Sequence, residues 1–495
     1  MQRSAGILLH PTCLPSPHGI GDVGPAAHQY LRWLAQTGAT WWQVLPLNPP
    51  GPGFSPYSAT STFAGSPWLI SPEFLIEDGL LQASDIASIP SFPAGRLDVG
   101  AALEWKTHLL GRAWDTHKRS PQPHLAQNLA TFKELDGWWL EDYVLFAALK
   151  EHHGGRAWMS WPEPLAMREP AELDQVRQDL GDEIRRQEFQ QFLFFRQWAR
   201  LREAAAEHSI KILGDLPIFV ALDSADVWAQ PELFQLDEAK RPRVVAGVPP
   251  DYFSETGQLW GNPLYDWDRH AEDGFAWWIA RTLHALTLAD ALRLDHFRGF
   301  AAFWEVGAGE KTAVNGRWAP GPGRALFDAL QQAIGSLPMV AEDLGEITPD
   351  VRALRKNLGL PGMAILHFAF SPEPRSSFIP YNHREDLVVY PGTHDNNTTV
   401  GWYESDASEG EKDLVRRYTG ADGSEVHWDL IRLAMSSVAD TAIVPHQDLF
   451  GLGAQARMNT PGLGEGNWCF RLTENMLDPN VAARLRNLVE TFGRF

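Results

Sequence analysis

The strongest constraint on the fold is a series of eight short apolar runs, each of which ends in polar residues or in Gly and Pro. The runs are Gly6–Leu9, Trp41–Leu47, Ile210–Leu213, Ala291–Leu294, Met339–Ala341, Met363–Phe368, Asp386–Tyr390 and Thr441–Val444. Strands that alternate with helices form parallel sheets, and eight such units in one chain favour an α/β fold closed into a (β/α)8 TIM barrel. An open, doubly wound parallel sheet is the alternative.

Segments with helical periodicity lie between most of these runs. They are Ala26–Gln36, Phe275–Thr287, Gly323–Ile334, Pro349–Asn357, Glu425–Ser437 and, after the eighth run, Pro479–Thr491. Because only one helix follows the loop after the eighth run, we expect no C-terminal β-sandwich. A superficial match to the dinucleotide-binding fingerprint, Gly451–Ala456, is rejected because Pro461 and nearby glycines prevent the helix that must follow it.

Two intervals are too long to be simple connections between strands. Residues 71–207, after the second strand, contain three helix-like segments, which predict a large, mostly helical insertion subdomain: Ala101–Ala113, Leu140–Glu151 and Glu183–Glu207. Residues 222–268, after the third strand, are rich in Pro, Gly, Trp and Tyr and predict an irregular insertion that forms an active-site loop. We expect residues 1–495 to be a single catalytic domain.

The charge balance restricts the partners of the chain. It carries 42 Lys and Arg against 62 Asp and Glu, a formal net charge of −20, which disfavours nucleic acid and anionic membranes. The apolar run at the N-terminus ends at His10 and Pro11, too early for a signal peptide. Cys13 and Cys469 have no metal-ligand or redox spacing, and a single disulfide is the alternative to two free thiols. The sequence predicts a cytoplasmic protein and leaves its oligomeric state open, with a monomer compatible.

Carboxylates follow several of the predicted strands, where barrel enzymes carry their reactive groups. These residues are Asp215, Asp295, Glu342 and Asp395. Strand side chains alternate between faces, so Arg293 and Asp295 should point into the barrel together. The neighbouring cation should hold Asp295 ionised, as a nucleophile requires. An ordinary structural ion pair is the alternative for this strand alone.

The fifth run places a second carboxyl in the same pocket. Glu342 follows Val340 by two positions and should also project inward, whereas Asp343 lies on the opposite face and receives no role. Partial burial and neighbouring negative charges should raise the pKa of Glu342, as a general acid requires. A divalent metal site is the alternative, but Arg293 among the carboxylates argues against it. We expect no metal and no cofactor.

Two carboxyls that flank a bond to an acetal carbon are the usual equipment for glycoside cleavage. In retaining enzymes one of them attacks the sugar and forms a covalent intermediate, which water or another sugar then resolves. The carboxylates alone therefore leave hydrolysis and transfer open.

From Arg3 to its C-terminus the chain resembles the 4-α-glucanotransferases of the amylomaltase (disproportionating enzyme) family, within the α-amylase-like superfamily. The motifs that carry the resemblance are Gly6–Pro11, Gly19–Asp22, Ser55–Tyr57, Gly214–Pro217, Gly247–Tyr265, Arg293–Gly299, Ala341–Gly345 and Gly392–Asn396. The resemblance implies retaining transfer of an α-1,4-glucan segment to the 4-hydroxyl of glucose or of another α-1,4-glucan. The substrates would be maltooligosaccharides, longer glucans and glucose. Cyclic products would arise when the acceptor is the chain's own end.

The resemblance also implies residue roles. Asp295 would be the nucleophile, Glu342 the acid/base and Asp395 the transition-state stabiliser. The implied sugar-binding residues are Ser55, Tyr57, Asp215, Gln258, Trp260, Arg293, His394 and Asn467. Tyr57 would stack on the sugar beside the cut, and Gln258 and Trp260 would contact sugars on the acceptor side. His296 is expected to support the site without acting as a catalyst.

The choice of transfer over hydrolysis requires a site that excludes water and retains a sugar. The segment Ala246–Pro263 has the composition of a lid, with Gly247, Gly257 and Gly261 as pivots. A glucan hydrolase on the same barrel and a catalytically silent glucan-binding protein are the alternatives.

Overall fold

The computed structural model describes residues 3–250, 254–345, 347–371 and 376–495. In chain order, its strands are β1 (Ser4–Leu8), β2 (Trp41–Gln43), β3 (Lys211–Leu216), β4 (Val244–Val248), β5 (Gln258–Pro263), β6 (Ala291–Leu294), β7 (Ala302–Gly307), β8 (Gly316–Pro320), β9 (Met339–Ala341), β10 (Gly362–Ile365), β11 (Leu387–Tyr390) and β12 (Thr441–Pro445). The helices of six residues or more are Pro25–Gln36, Pro72–Glu77, Val99–Arg119, Pro123–His152, Pro170–Asp179, Gly181–Glu207, Trp267–Glu272, Ala276–Leu288, Gly323–Ile334, Pro349–Asn357, Glu409–Thr419, Val426–Ser436 and Pro479–Thr491. Over these described ranges, no helix has the length and apolar character needed to cross a membrane.

Eight parallel strands form the central sheet in the order β10-β11-β12-β1-β2-β3-β6-β9. The two end strands approach each other, because the amide of Ala341 donates to the carbonyl of Pro361 at 2.9 Å. The amide of Met363 also donates to the Asp343 carboxylate at 2.8 Å. The sheet is therefore a nearly closed barrel, and the predicted (β/α)8 fold is confirmed over the open sheet.

Several strand bounds differ from the predicted runs, those of β2 and β3 among them. β2 ends at Gln43, earlier than the predicted Leu47, where Pro46 has no amide hydrogen to continue a ladder. β3 extends three residues beyond the predicted Leu213, to Leu216. This extension pairs Asp215 directly with Arg293 on β6, so it brings two charged side chains together at the end of the barrel.

The helices between Pro72 and Glu207 hold the loop that follows β2. The Gln191 side chain, on helix Gly181–Glu207, accepts a hydrogen bond from the amide of Gly65 at 2.8 Å and donates to its carbonyl at 2.9 Å. A Cβ at Gly65 would lie 1.9 Å from the ring of Phe194, so only glycine allows this approach. The loop that carries Tyr57 is thereby fixed against the helical insertion.

Part of the segment predicted to be an irregular insertion forms regular strands. β4 and β5 form an antiparallel pair that continues through β7 to β8, in the order β5-β4-β7-β8. The prediction missed this sheet because β5 is an edge strand that contains Gly261 and Pro263, and because its sheet is completed by residues far along the chain. Residues 251–253, within the same segment, lie outside the described residues.

The register of this second sheet determines which side chains face the barrel. Leu259 on β5 pairs with Gly247 on β4. Because side chains alternate along a strand, Gln258 and Trp260 project from the face of β5 opposite to that of Leu259. The Trp260 ring lies 6.3 Å from Phe219 and 4.8 Å from His296, between ring centroids. The face that carries Gln258 and Trp260 is therefore turned towards the barrel.

Candidate active site

Arg293 is the central cation of the site. Its Nη1 atom donates to Asp215 at 2.9 and 3.0 Å and to Asp295 Oδ1 at 2.9 Å, and its side chain is only 3% exposed. Burial alone would lower the pKa of Arg293, but the two carboxylates raise it well above its ordinary value. A permanent cation therefore faces both carboxylates, and Arg293 and Asp295 point inward together, as strand alternation predicts.

Glu342 follows β9 and lies buried beside this cluster. Its Oε2 atom accepts from the amide of His296 and its Oε1 atom from the amide of Leu344, both at 2.8 Å. Burial raises the pKa of Glu342 to about 8, with Arg293 acting against the rise and Asp295 adding to it. Glu342 is therefore protonated at neutral pH and can donate a proton, in agreement with the predicted direction.

Asp343, next in the chain, has a different environment. Its carboxylate lies 3.1 Å from Arg355 and accepts the amide of Met363 on β10. The side chain is thus occupied in closing the barrel, which agrees with the prediction that it faces away from the site.

Asp395 follows β11 and is the most open of the three predicted catalytic carboxylates, with 42% of its side chain exposed. Oδ1 accepts from Asn459 Nδ2 at 2.7 Å, and Oδ2 lies 3.4 Å from His394 Nε2. Arg457 donates to the main-chain carbonyl of Asp395 at 2.8 Å. Sequence reasoning missed Asn459 and Arg457, because they lie in a long loop and not at the end of a strand.

Tyr57 links two of the charged groups. Its hydroxyl donates to Asp215 Oδ2 at 2.8 Å and lies 2.9 Å from His394 Nε2. The rings of Tyr57 and His394 are stacked, with centroids 5.3 Å apart. Burial lowers the pKa of His394, so its ring is neutral. Since the Tyr57 proton is directed at Asp215, His394 donates from Nε2 to the Tyr57 oxygen.

The remaining predicted sugar-binding residues lie around this cluster. Ser55 accepts the amide of Tyr57 through Oγ at 3.3 Å and so shapes its turn. Trp260, 38% exposed, donates from Nε1 to Gln258 Oε1 at 3.1 Å. Asn467 accepts the amide of Thr460 at 2.9 Å and donates to the carbonyl of Leu463 at 2.9 Å. Its amide thus holds its own loop, and a direct contact with sugar stays a prediction.

The geometry defines a class of protein. A parallel barrel that presents a protonated buried carboxyl, a carboxylate held by arginine and a third, open carboxylate is typical of enzymes that act on glycosidic bonds. Residues 9–477 match the family described as 4-alpha-glucanotransferase, and the chain belongs to that family.

Individual relatives agree with this assignment. The 4-alpha-glucanotransferase of Thermus thermophilus is 49% identical over 502 residues, covering 100% of this chain and 99% of the relative. That of Synechocystis sp. is 48% identical, covering 100% of this chain and 98% of the relative. The structure of amylomaltase from Streptococcus agalactiae in complex with acarbose superposes with a TM-score of 0.96 at 36% identity, with 100% of both chains covered. The amylomaltase of Corynebacterium glutamicum shares the fold, with a TM-score of 0.81 at 19% identity, over 98% of this chain and 75% of that one.

Proposed function

We propose that this chain is a retaining 4-α-glucanotransferase that moves a segment of an α-1,4-glucan to the 4-hydroxyl of glucose or of another glucan. The observation that supports this most directly is the contrast between the surroundings of Glu342 and those of Asp295. Glu342 is buried, which raises its pKa to about 8, whereas Asp295 accepts a hydrogen bond from the permanently charged Arg293. A carboxyl that keeps its proton beside a carboxylate paired with a cation is the arrangement of an acid and a nucleophile.

The reaction then proceeds in two balanced halves. Glu342 gives its proton to the glycosidic oxygen while a carboxylate oxygen of Asp295 bonds to the anomeric carbon, and the leaving segment departs with that proton. The product is a β-linked glycosyl ester on Asp295, which carries the segment to be transferred. In the second half, Glu342 takes the proton of the acceptor's 4-hydroxyl, whose oxygen displaces Asp295 and restores the α-linkage. The chain's own side chains supply each proton and bond, so the scheme needs no cofactor.

The remaining residues would bind and orient the sugars. The open carboxylate of Asp395 can accept hydrogen bonds from hydroxyls of the sugar that undergoes substitution, and these strengthen as positive charge develops on it. Tyr57 offers an aromatic face for stacking beside the cut. Gln258 and Trp260, on the barrel-facing side of β5, would contact the acceptor. Substrates on this account are α-1,4-glucans, maltooligosaccharides and glucose.

We also propose a cytoplasmic location. Cys13 and Cys469 are both free thiols, and a reducing compartment preserves free thiols.

The raised pKa of Glu342 is tested by the pH dependence of kcat/KM for maltotriose. Below its pKa, Glu342 carries the proton that the leaving oxygen needs. As the pH rises through about 8 the carboxyl loses that proton, so activity should fall with an alkaline limb near pH 8. A fall in activity that is already complete as the pH rises through 4 to 5, near the ordinary glutamate pKa of about 4.3, would contradict the assignment.

The predicted lid, Ala246–Pro263, is tested by deleting Ser254–Gln258. The deleted segment contains the turn before β5 and Gln258, the first residue of β5. Removal should admit water and raise hydrolysis relative to transfer. The measurement is the ratio of new reducing ends to glucose released from maltotriose. Leu259→Ala, on the face of β5 turned away from the barrel, serves as the control and should leave the ratio unchanged. If the deletion also leaves it unchanged, the segment is not a lid.

A further inference from the structure

His296, the residue after Asp295, has a left-handed backbone conformation, with φ of 49°. Positive φ is uncommon for a residue other than glycine, and an observed case at a functional site motivates a functional hypothesis. The conformation here is directly beside the nucleophile and in contact with the acid/base.

The left-handed residue directs two consecutive amides at Glu342. Phe297, which follows, is right-handed, with φ of −52° and ψ of −30°. The His296 amide donates to Glu342 Oε2 at 2.8 Å, and the Phe297 amide donates to the main-chain carbonyl of Glu342 at 3.1 Å. Successive amides on residues of opposite hand form a concave site for oxygen acceptors. This pair therefore fixes both the side chain and the main chain of Glu342.

The surroundings hold His296 in this conformation. Its carbonyl accepts the amide of Gly299 at 2.9 Å. Gly299 also leaves room for the imidazole, because a Cβ there would lie 3.2 Å from His296 Cδ2 and 2.7 Å from Ile218. Burial lowers the pKa of His296 to about 4, so the ring is neutral.

The imidazole contacts the acceptor side of the site. Its ring meets Trp260 edge to face, with centroids 4.8 Å apart and an interplanar angle of 79°. Edge-to-face pairs favour one mutual orientation of the two rings. Trp260 is half exposed and thus available to a sugar, whereas His296, its partner in this contact, is fixed to the barrel.

We propose that His296 is a positioning residue that connects the acceptor side to the acid/base, because its backbone aims an amide at Glu342 while its ring supports Trp260. The inference rests on the proposed function, since it takes Glu342 as the acid/base and Trp260 as an acceptor contact. It assigns two separable effects to one residue. The ring acts on acceptor binding, and the left-handed backbone acts on proton transfer.

The test compares His296→Asn with His296→Val, two side chains of similar size that both lack the ring. Asparagine tolerates positive φ, whereas a β-branched residue resists it. The assay uses maltotriose as donor and labelled glucose as acceptor. Both variants should raise the KM for glucose by roughly 3- to 10-fold, which corresponds to the loss of one edge-to-face contact. Only His296→Val should lower kcat, by on the order of 10-fold or more, because Glu342 is misplaced. It should also move the alkaline limb to higher pH, because the hydrogen bond it weakens favours the ionised carboxyl.

Ser209 provides a matched control for backbone strain. It also has a left-handed conformation, with φ of 58°, and lies exposed in the turn before β3. Ser209→Val should be less stable to heat than Ser209→Asn, with kcat, KM and the pH profile of both as in the wild type. If His296→Val does not fold, His296→Ala takes its place and should shift kcat and the alkaline limb in the same direction by less.

Two results would overturn the inference. If His296→Asn and His296→Val, or the His296→Ala that replaces it, have the same kcat and lose activity at the same alkaline pH, the backbone of His296 has no role in proton transfer. An unchanged acceptor KM in both would remove the role of the ring. Glu342→Gln is measured in parallel: if it keeps wild-type turnover, the proposed function fails. If it is inactive while both His296 variants match the wild type, only the role of His296 fails.

Discussion

Glu342→Gln is expected to lower the rate of transfer from maltotriose by about 10²- to 10⁴-fold, the usual contribution of a general acid/base. Glutamine has the shape of glutamate but carries no proton for the leaving oxygen. It can accept only one of the two amides, of His296 and Leu344, that Glu342 accepts. The unpaired amide should cost about 1–3 kcal/mol of unfolding free energy, which leaves the fold intact.

Two comparisons separate lost acid catalysis from lost structure. Asp343→Asn, one residue further along, changes a half-buried carboxylate that pairs with Arg355 and should keep its activity. A glucan donor with an aryl leaving group of low pKa needs no proton, so Glu342→Gln should form the intermediate from it at a rate closer to wild type. Wild-type turnover of maltotriose by Glu342→Gln would remove Glu342 as the acid/base.

Asp295→Asn is expected to have a still larger effect, a loss on the order of 10⁴-fold or more, because it removes the nucleophile itself. Arg293 keeps its contacts with Asp215, so its charge stays compensated and the variant should fold. The measurement is mass spectrometry of acid-quenched enzyme after mixing with maltotriose. Because glucose departs from maltotriose, wild-type enzyme should carry the added mass of a maltosyl group on the peptide that contains Asp295, and the variant should carry none.

Asp290→Asn is the control for this prediction. Asp290 precedes the same strand, β6, at the opposite end of the barrel, where it pairs with Arg202. The control should retain both turnover and the added mass. Added mass on a different acidic residue in the wild type would contradict the assignment of Asp295.

The barrel and its charged centre were predictable because they follow from local patterns. Strand alternation has a period of two, so the residues around Leu294 and Val340 were sufficient to turn Asp295 and Glu342 inward and Asp343 away. The rise in the pKa of Glu342 followed from burial, which dominates that shift in the structure.

The parts that could not be predicted depend on contacts between distant residues. β5 becomes a strand only because β4 and β7 pair beside it, and its own sequence carries glycine and proline. Asn459 reaches Asp395 from a loop, and no residue pattern near either one signals the contact. The left-handed backbone of His296 is held by Gly299 and Glu342, and histidine gives no sign of it in the sequence.

Incubation with maltotriose alone tests the central claim most directly. If the chain transfers glucan segments, glucose and oligomers longer than maltotriose should accumulate while the total number of reducing ends stays constant. A rise in reducing ends that matches the glucose released would show a hydrolase on the same barrel. Unchanged maltotriose would show a protein that binds glucan without catalysis, and either of these results would contradict the account.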